Sequence, residues 1–243
     1  MTATRILVTR ERKSAQDTAQ NLIAAGLEPV LMPFFEVVDT GLQIPEGSFD
    51  GVVFTSRNAV EIFAQRGFEP SKASNFALCV GEKTAELARR MGFTRVLSAN
   101  GGGAKLAEQI NSEPKYYGHC LLYPTTAKRA FDLQSALIPA AITLTLCEIY
   151  NHQEISPDQK EISDGFGKHI PEYAFVYSML SGKHFAQELQ KFGGNEIFVA
   201  MNLVAISKNA AQGVLSYPWR NVYVANQPNE FSMIDRVNKL SLA

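Results

Sequence analysis

The chain has 243 residues, of which 46% are hydrophobic, 19% charged and 10% aromatic, a composition that excludes a disordered chain, a collagen-like repeat and a coiled coil. Lys and Arg together number 23 and Asp and Glu number 24, so the net charge is −1. Because nucleic-acid binders normally carry a basic excess, we expect no nucleic-acid partner.

The cysteines and histidines indicate neither disulfides nor a metal. Cys79, Cys120 and Cys147 each lie in or beside an apolar run, which is typical of reduced core cysteines. The four histidines show no ligand spacing, so we expect no metal site. The chain shows neither a secretory h-region nor the roughly 18 consecutive apolar residues of a membrane helix, so we expect a cytoplasmic protein without membrane contact.

Short apolar runs rich in Val, Ile, Leu and Phe recur along the chain and predict β-strands. Most are followed by a polar turn and a segment with helical spacing. Strands that are apolar on both faces are typical of parallel sheets covered by helices, so the predicted fold class is α/β, doubly wound. The predicted strands are Ile6–Thr9, Val30–Met32, Val52–Thr55, Phe76–Val80, Cys120–Tyr123, Thr143–Ile149, Ala174–Tyr177, Leu203–Ile206 and Val222–Ala225.

The first helix shows the pattern clearly. Its apolar residues Ala15, Ala19, Leu22 and Ile23 are spaced to share one buried face. Gly26 is predicted to end the helix, since glycine is the common residue just beyond a helix C-terminus.

An internal sequence repeat indicates that the chain contains two similar halves. When the two copies are aligned, Ser56 meets Ser178 and Phe63 meets Phe185, and a second strand and turn follow in each copy. The repeat indicates two similar α/β lobes. The alternative is chance similarity between two strand-helix stretches. The copies are Phe49–Phe68 and Glu172–Gly193.

Two β-rich stretches, Pro33–Thr40 and Leu146–Glu154, are suited to connect the lobes. If both cross, one lobe is discontinuous and comprises residues 1–34 plus 155–243, and the other is the insert 35–154. The predicted architecture is therefore two doubly wound parallel-sheet lobes joined by a two-stranded connection. A single linker near residue 155 is the simpler alternative.

The turns after the predicted strands are rich in small, hydroxyl-bearing or basic residues at helix N-termini. Ligands of open parallel sheets bind beyond the carboxyl ends of the strands, where free N–H groups and the helix dipole attract anions. The same residue types are also ordinary helix caps, but the collection suits a polyanion held between two lobes. The candidate binding residues are Arg10, Thr55, Ser56, Asn58, Gly81, Thr84, Thr125, Lys128, Arg129, Ser178, Ser181 and Asn209.

The loop Asn100–Gly103 is a further anion-ready turn, but it matches no nucleotide motif. It lacks the Gly-Lys-Ser/Thr ending of a P-loop and the GxGxxG fingerprint, so we expect no nucleotide cofactor and favour a surface turn. The chain also shows no GxSxG and no paired carboxylates. An enzyme with this sequence therefore relies on positioning its substrate.

Several segments, taken in order, resemble the uroporphyrinogen-III synthase family across nearly the whole chain. The most specific portion is VFTS with Asn-Ala-Val, followed by VGEKTA. The resemblance implies two α/β lobes with an active site in the cleft between them. The matching segments are Val8–Arg10, Val52–Val60, Val80–Phe93, Leu121–Leu137, Cys147–His152 and Phe175–Ser178.

The resemblance implies a lyase of tetrapyrrole (porphyrin and heme) biosynthesis. Its substrate is hydroxymethylbilane, a linear tetrapyrrole with eight carboxylates. The terminal hydroxyl leaves as water, an azafulvene forms, and the last pyrrole (ring D) attacks through its substituted carbon to give a spiro intermediate. Fragmentation and reclosure then give uroporphyrinogen III with ring D inverted. No cofactor is implied.

The resemblance also assigns roles to side chains. Tyr150 matches a family tyrosine and is expected to donate a hydrogen bond to the departing hydroxyl, as a general acid, with a half-buried structural tyrosine as the alternative. Ser56, Thr84 and Ser178 match small polar residues that orient carboxylates. Among the basic candidates, Arg10, Lys128 and Arg129 are suited to pair with carboxylates. We expect a monomer, with a transient contact to the preceding enzyme of the pathway.

One turn departs from the family pattern. Where the family often reads Ile-Gly-x-Thr-Thr-Ala, this chain reads Ile206–Ala211 with Ser207, Asn209 and Ala210 in place of the glycine and both threonines. Asn209 is expected to cap the helix and donate through its amide. The departure favours a second hypothesis, a non-catalytic two-lobe binding protein or sensor for a small polyanion.

Overall fold

A computed structural model describes residues 3–129 and 131–241. The chain divides into two compact units. Unit 1 comprises the chain up to Glu36 and from Gln153 onward, and unit 2 comprises Val37–His152. The division expected from the sequence, 1–34 plus 155–243 and 35–154, has its boundaries two residues away from these.

Strands and helices alternate through both units. The strands are β1 (Arg5–Val8), β2 (Glu28–Leu31), β3 (Phe35–Asp39), β4 (Gly51–Phe54), β5 (Phe76–Cys79), β6 (Arg95–Ser98), β7 (Cys120–Thr125), β8 (Thr143–Glu148), β9 (Tyr150–Glu154), β10 (Tyr173–Val176), β11 (Asn202–Ala205) and β12 (Asn221–Val224). The helices are α1 (Arg12–Ala24), α2 (Arg57–Gln65), α3 (Glu82–Met91), α4 (Gly103–Asn111), α5 (Leu133–Ala136), α6 (Gln159–Phe166), α7 (Met179–Ala200), α8 (Lys208–Gln212) and α9 (Glu230–Ser241). Short 3₁₀ turns lie at Pro70–Ala73, Pro114–Tyr116 and Ile138–Ala140.

Each unit is built on one parallel five-stranded sheet. The strand order is β12-β11-β10-β1-β2 in unit 1 and β6-β5-β4-β7-β8 in unit 2. Both faces of each sheet carry a hydrophobic core, because the three interior strands of each sheet are buried along nearly their whole length. These strands are β1, β10 and β11 in unit 1 and β4, β5 and β7 in unit 2. The predicted fold class, α/β with two doubly wound parallel sheets, is confirmed.

A two-stranded sheet of β3 and β9 carries the chain between the units. Its strands run antiparallel, and the Ile155 amide donates to the Phe34 carbonyl at one end. In unit 2, Arg66 at the end of α2 donates from Nε to Asp39 Oδ2 at 2.9 Å. This hydrogen bond holds the pKa of Asp39 at about 2. The predicted two-stranded connection is therefore present, and an arginine carboxylate pair ties it to unit 2.

The structure adds one strand that the sequence analysis does not predict, and one local prediction is wrong. The unpredicted strand is β6, whose sequence RVLS is too short to show a clear strand pattern. It is recognisable as a strand only from its parallel pairing with β5. In α1, Ile23 is 64% exposed, and the buried face consists of Ala15, Thr18 and Leu22. Thr18 can be buried there because its hydroxyl oxygen lies 3.0 Å from the Ser14 carbonyl and 2.5 Å from Glu230 Oε2, so its polar group has partners.

The three cysteines are free thiols. Cys79 and Cys147 are buried and Cys120 is partly buried. Burial raises the pKa of Cys79 to about 12 and that of Cys147 to about 11, so both thiols stay protonated at neutral pH. Across the described residues, the helices are all too short or too polar to span a bilayer.

The repeated phenylalanines give a stability prediction. Phe63 and Phe185 are fully buried, one in each unit, and Phe231 is 80% exposed. We expect Phe63→Ala and Phe185→Ala each to lower the free energy of unfolding by about 3–5 kcal/mol, because each leaves a cavity. Phe231→Ala is the control and should change it by no more than about 0.5 kcal/mol. Equal urea denaturation curves for the three variants would contradict this.

Candidate functional site

The candidate site lies in unit 2, at the carboxyl ends of its parallel strands. Along the chain, β4, β5 and β6 are laid down in one direction across the sheet, and β7 and β8 then continue on the other side of β4. The loops after β4 and β7 consequently diverge and leave a crevice between them. Such a reversal of strand order is where ligands bind in open α/β sheets.

A cavity of about 330 Å³ occupies this crevice. Its size is at the lower end of the roughly 300–1,000 Å³ of small-molecule sites. Its lining mixes hydroxyl groups, aromatic rings, two cations and a glycine-rich turn. The lining residues are Thr55, Ser56, Val80, Gly102, Gly103, Tyr123, Thr125, Thr126, Lys128, Arg129, Phe131, Leu133, Tyr150 and His152.

Tyr150, the predicted catalytic residue, lies in this lining and is only 4% exposed. Burial raises the pKa of its phenol, and a side-chain hydrogen bond with Ser56 opposes the shift in part. Tyr150 therefore stays neutral over the physiological range and is a hydrogen-bond donor. Ser56 is the N-cap of α2 and accepts from the Asn58 amide at 3.2 Å, which fixes its hydroxyl beside the phenol.

A hydroxyl pair crosses the point where the strand order reverses. Thr55, after β4, and Tyr123, on β7, have their hydroxyl oxygens 3.2 Å apart. Tyr123 is 3% exposed, so this contact is nearly dry. It ties together the two strands whose loops form the walls of the cavity.

The cations of the cavity differ in how they are held. Arg129 donates to Glu148 at 3.1 Å and to the Thr126 carbonyl at 3.3 Å, so one carboxylate of the chain already faces it. Lys128 is exposed, and we find no ion pair for it within the described ranges 3–129 and 131–241. Lys128 is therefore the cation best able to accept a carboxylate from a ligand.

The sequence favours a surface turn at the glycine-rich segment Asn100–Gly103, but Gly102 and Gly103 line the cavity. Gly102 is the N-cap of α4 and provides no side-chain cap. The first amide of the helix to bond within it is that of Leu106, which donates to the Gly102 carbonyl at 3.1 Å. The preceding amides are the unsatisfied donors of a helix start.

Three candidate residues of unit 2 are absent from the described lining of the cavity: Asn58, Gly81 and Thr84. Gly81 is the N-cap of α3, and Thr84 is 5% exposed on the packed face of that helix. Val80, next to Gly81, does line the cavity. Contacts of Asn58, Gly81 and Thr84 with a ligand therefore stay predictions.

Unit 1 has the same reversal of strand order, between β10 and β1, and Arg10 lies there. The Arg10 guanidinium lies 4.1 Å from the centre of the Tyr177 ring and donates to Glu230 at 3.3 Å. Glu230 also accepts from Thr18 at 2.5 Å, from Asn21 at 2.6 Å and from Tyr177 at 2.8 Å. Burial raises the pKa of Glu230, but these hydrogen bonds outweigh it and leave the pKa below its usual value.

The remaining candidates of unit 1 lie at helix starts. Ser178 is the N-cap of α7, and its hydroxyl is 2.7 Å from that of Ser181 and accepts from the Ser181 amide at 3.1 Å. Asn209 was expected to cap α8, but Ser207 does so by accepting from the Ala210 amide at 3.2 Å. Asn209 is exposed in the first turn of that helix.

The sequence does not identify several lining residues as candidates, among them Tyr123, Phe131 and His152. Tyr123 and His152 were readable only as part of apolar or connecting strands, because their approach to Ser56 and Tyr150 depends on tertiary pairing. No group of three or more metal-binding side chains occurs in the part of the chain that the structure describes.

Comparisons with known proteins agree with the fold. The family model described as uroporphyrinogen-III synthase HemD matches residues 16–235. Among solved structures, the uroporphyrinogen-III synthetase of Helicobacter pylori 26695 is 17% identical, covering 98% of this chain and 100% of its own, with a TM-score of 0.67. A mutant uroporphyrinogen III synthase of the extremely thermophilic bacterium Thermus thermophilus is 13% identical, covering 99% of both chains, with a TM-score of 0.51. Comparison with curated proteins finds no match. Because the family model matches most of the length of this chain, the chain belongs to the uroporphyrinogen-III synthase family.

Proposed function

We propose that this chain is a lyase that converts hydroxymethylbilane into uroporphyrinogen III, with loss of water and inversion of ring D. Family membership supports the activity. The observation that carries the proposal is the position of Tyr150 beside Ser56 in a cavity where the strand order of the sheet reverses. The substrate's pyrrole nitrogen expels the hydroxyl itself, so the protein needs to position groups more than to activate them.

The cavity is suited to one end of the substrate rather than to all of it. A linear tetrapyrrole with eight carboxylates exceeds about 330 Å³, whereas a terminal ring with its hydroxymethyl group does not. In this proposal, the neutral Tyr150 phenol donates a hydrogen bond to the departing hydroxyl. Full proton transfer from Tyr150 is disfavoured, since burial raises the pKa of the phenol.

In this proposal, the basic and hydroxyl groups of the cavity lining hold the carboxylates at the bound end of the substrate. Lys128 offers a charge without a competing partner in the described ranges, and Arg129 shares its charge with Glu148. Thr55, Ser56 and Thr125 offer hydroxyl donors, and the amides at the start of α4 add backbone donors. Holding the chain in one conformation favours the closure that spontaneous reaction does not give.

The residues of unit 1 are proposed to bind further carboxylates. Ser178, Ser181 and Asn209 present hydroxyl and amide groups at the carboxyl edge of its sheet. Arg10 is already paired with Glu230, which reduces the net charge that it offers to a ligand. The cytoplasmic location, the monomeric state and a transient contact with the preceding enzyme stay predictions.

The function is tested by isomer analysis. Hydroxymethylbilane is generated enzymatically in the assay, and the products are oxidised and separated as type I and type III porphyrins. We expect the type III isomer to form in proportion to protein concentration, above the spontaneous type I background. Type I alone, at the uncatalysed rate, would contradict the proposal and favour the binding-protein alternative.

Removal of the Tyr150 hydroxyl tests its role. We expect Tyr150→Phe to lower kcat for the type III isomer by about 10²-fold, since one preorganised donor to a developing charge is lost. Tyr117→Phe is the control, because its hydroxyl donates to the Asn111 carbonyl at 2.8 Å and Tyr117 is not among the described lining residues. An unchanged kcat in Tyr150→Phe would remove it from the mechanism.

The two cavity glycines offer a matched pair of variants. A Cβ on Gly103 would lie 2.7 Å from Phe131 Cδ1 and 3.2 Å from its Cβ, whereas a Cβ on Gly102 would meet nothing within 4 Å. We expect Gly103→Ala to displace Phe131 from the cavity wall and raise KM about tenfold, because the substrate loses part of the surface that it packs against, a loss of about 1.4 kcal/mol of binding free energy. Gly102→Ala should leave KM within about twofold. Equal KM values for the pair would show that the Phe131 wall does not shape the binding site.

A further inference from the structure

The proposed reaction needs a proton donor that Tyr150 does not provide well. The leaving hydroxyl departs as water only if it gains a proton, and the ring closure later releases one. A neutral phenol held in a buried position donates hydrogen bonds but gives up its proton reluctantly. The same cavity holds a second side chain that is better suited to transfer that proton.

His152 is the titratable side chain beside Tyr150. Both residues belong to β9, two positions apart, so their side chains leave the same face of the strand. The two ring centres are 5.7 Å apart at an interplanar angle of 81°, and both rings line the cavity. Tyr150 is 4% exposed, but His152 is exposed, so water and substrate reach the imidazole.

Several charged and titratable groups line the cavity together with His152. Lys128 and Arg129 line the same cavity, Glu148 pairs with Arg129 at 3.1 Å, and Tyr123 and Tyr150 are the other titratable groups of the lining. A substrate with many carboxylates would add negative charge there and favour the protonated imidazole. Imidazole is also the side chain that ordinarily changes charge between about pH 5 and 8.

We propose that His152 carries the proton of the reaction, first as acid and then as base, an inference that rests on the proposed function. In the first step the pyrrole nitrogen's lone pair expels the hydroxyl group as the C–O bond breaks, and the protonated imidazole gives that oxygen its proton. Water leaves, the substrate becomes an azafulvenium cation, and the imidazole is neutral.

In the last step the same imidazole recovers its proton. The free α-carbon of the inverted pyrrole forms the closing C–C bond with the azafulvenium carbon, and the proton on that α-carbon passes to the neutral imidazole as the ring regains aromaticity. The formation and cleavage of the spiro intermediate between these steps need no net proton. One proton is given and one is taken back, so the balance is substrate to uroporphyrinogen III and water.

The test compares His152→Gln with Tyr150→Phe and the control His169→Gln, an exposed histidine of unit 1. We expect His152→Gln to lower kcat for the type III isomer by about 10²-fold with KM within about twofold, as is typical when a general acid is lost. The kcat of the wild type should fall as the pH rises between about 6 and 8, and that fall should be absent in His152→Gln. In His152→Ala, added imidazole should restore part of kcat, which a purely structural role would not allow.

The outcomes separate this inference from the proposed function. A wild type that forms type III, with an unchanged kcat and pH profile in His152→Gln, overturns the role of His152 alone. A wild type that forms only type I at the uncatalysed rate overturns the proposed function and the inference together. Loss of the pH-dependent fall in Tyr150→Phe, but not in His152→Gln, assigns the proton to Tyr150 and also overturns the inference. Urea denaturation of each variant shows whether it is folded.

Discussion

The reversal of strand order within each parallel sheet is the constraint on which the candidate site depends. In a sheet built by strand-helix repeats, each new strand is laid beside the last until the chain moves to the other side of its first strand. The two loops at that position lead to opposite faces of the sheet and cannot cover the strand ends between them. In unit 2 these loops follow β4 and β7, and the contact between Thr55 and Tyr123 holds the strands together directly below the cavity. The crevice is a consequence of the topology, and the side chains determine what it can bind.

The chemistry of the cavity reflects two opposite demands on polar groups. Tyr150 is buried, which keeps it neutral and fixes its position, and Ser56 satisfies its hydroxyl. Lys128 and His152 remain exposed, so a charged ligand can reach both side chains. Burial suits a group that orients, because its geometry is fixed, and exposure suits a group that changes charge, because a buried charge is costly. The cavity therefore combines buried, fixed hydroxyl groups with exposed groups that can carry charge, which suits a cyclisation guided by positioning of the substrate.

The two copies of the internal sequence repeat correspond to equivalent strands of the two sheets. Ser56 and Ser178 cap the helices that follow β4 and β10, and both strands are central in their sheets. The orders β6-β5-β4-β7-β8 and β12-β11-β10-β1-β2 match strand for strand, so β1 and β2 of unit 1 correspond to β7 and β8 of unit 2. The equivalent turns nevertheless differ in chemistry. Lys128 is open to a ligand, whereas Arg10 is stacked on Tyr177 and paired with Glu230, a residue more than 200 positions away in the chain.

The sequence by itself determined the fold class, most of the strands, the repeat and the family resemblance, because apolar runs and helical spacing are local properties of the chain. It also placed Tyr150, Ser56, Thr55, Thr125, Lys128 and Arg129 among the candidates, all of which line one cavity. Strand β6, the exposure of Ile23, the cap at Ser207 and the places of Gly103 and His152 in the lining were decided only by the tertiary structure. These features depend on which segments pack together, and pairings between residues far apart in the chain leave no periodic signal in the sequence.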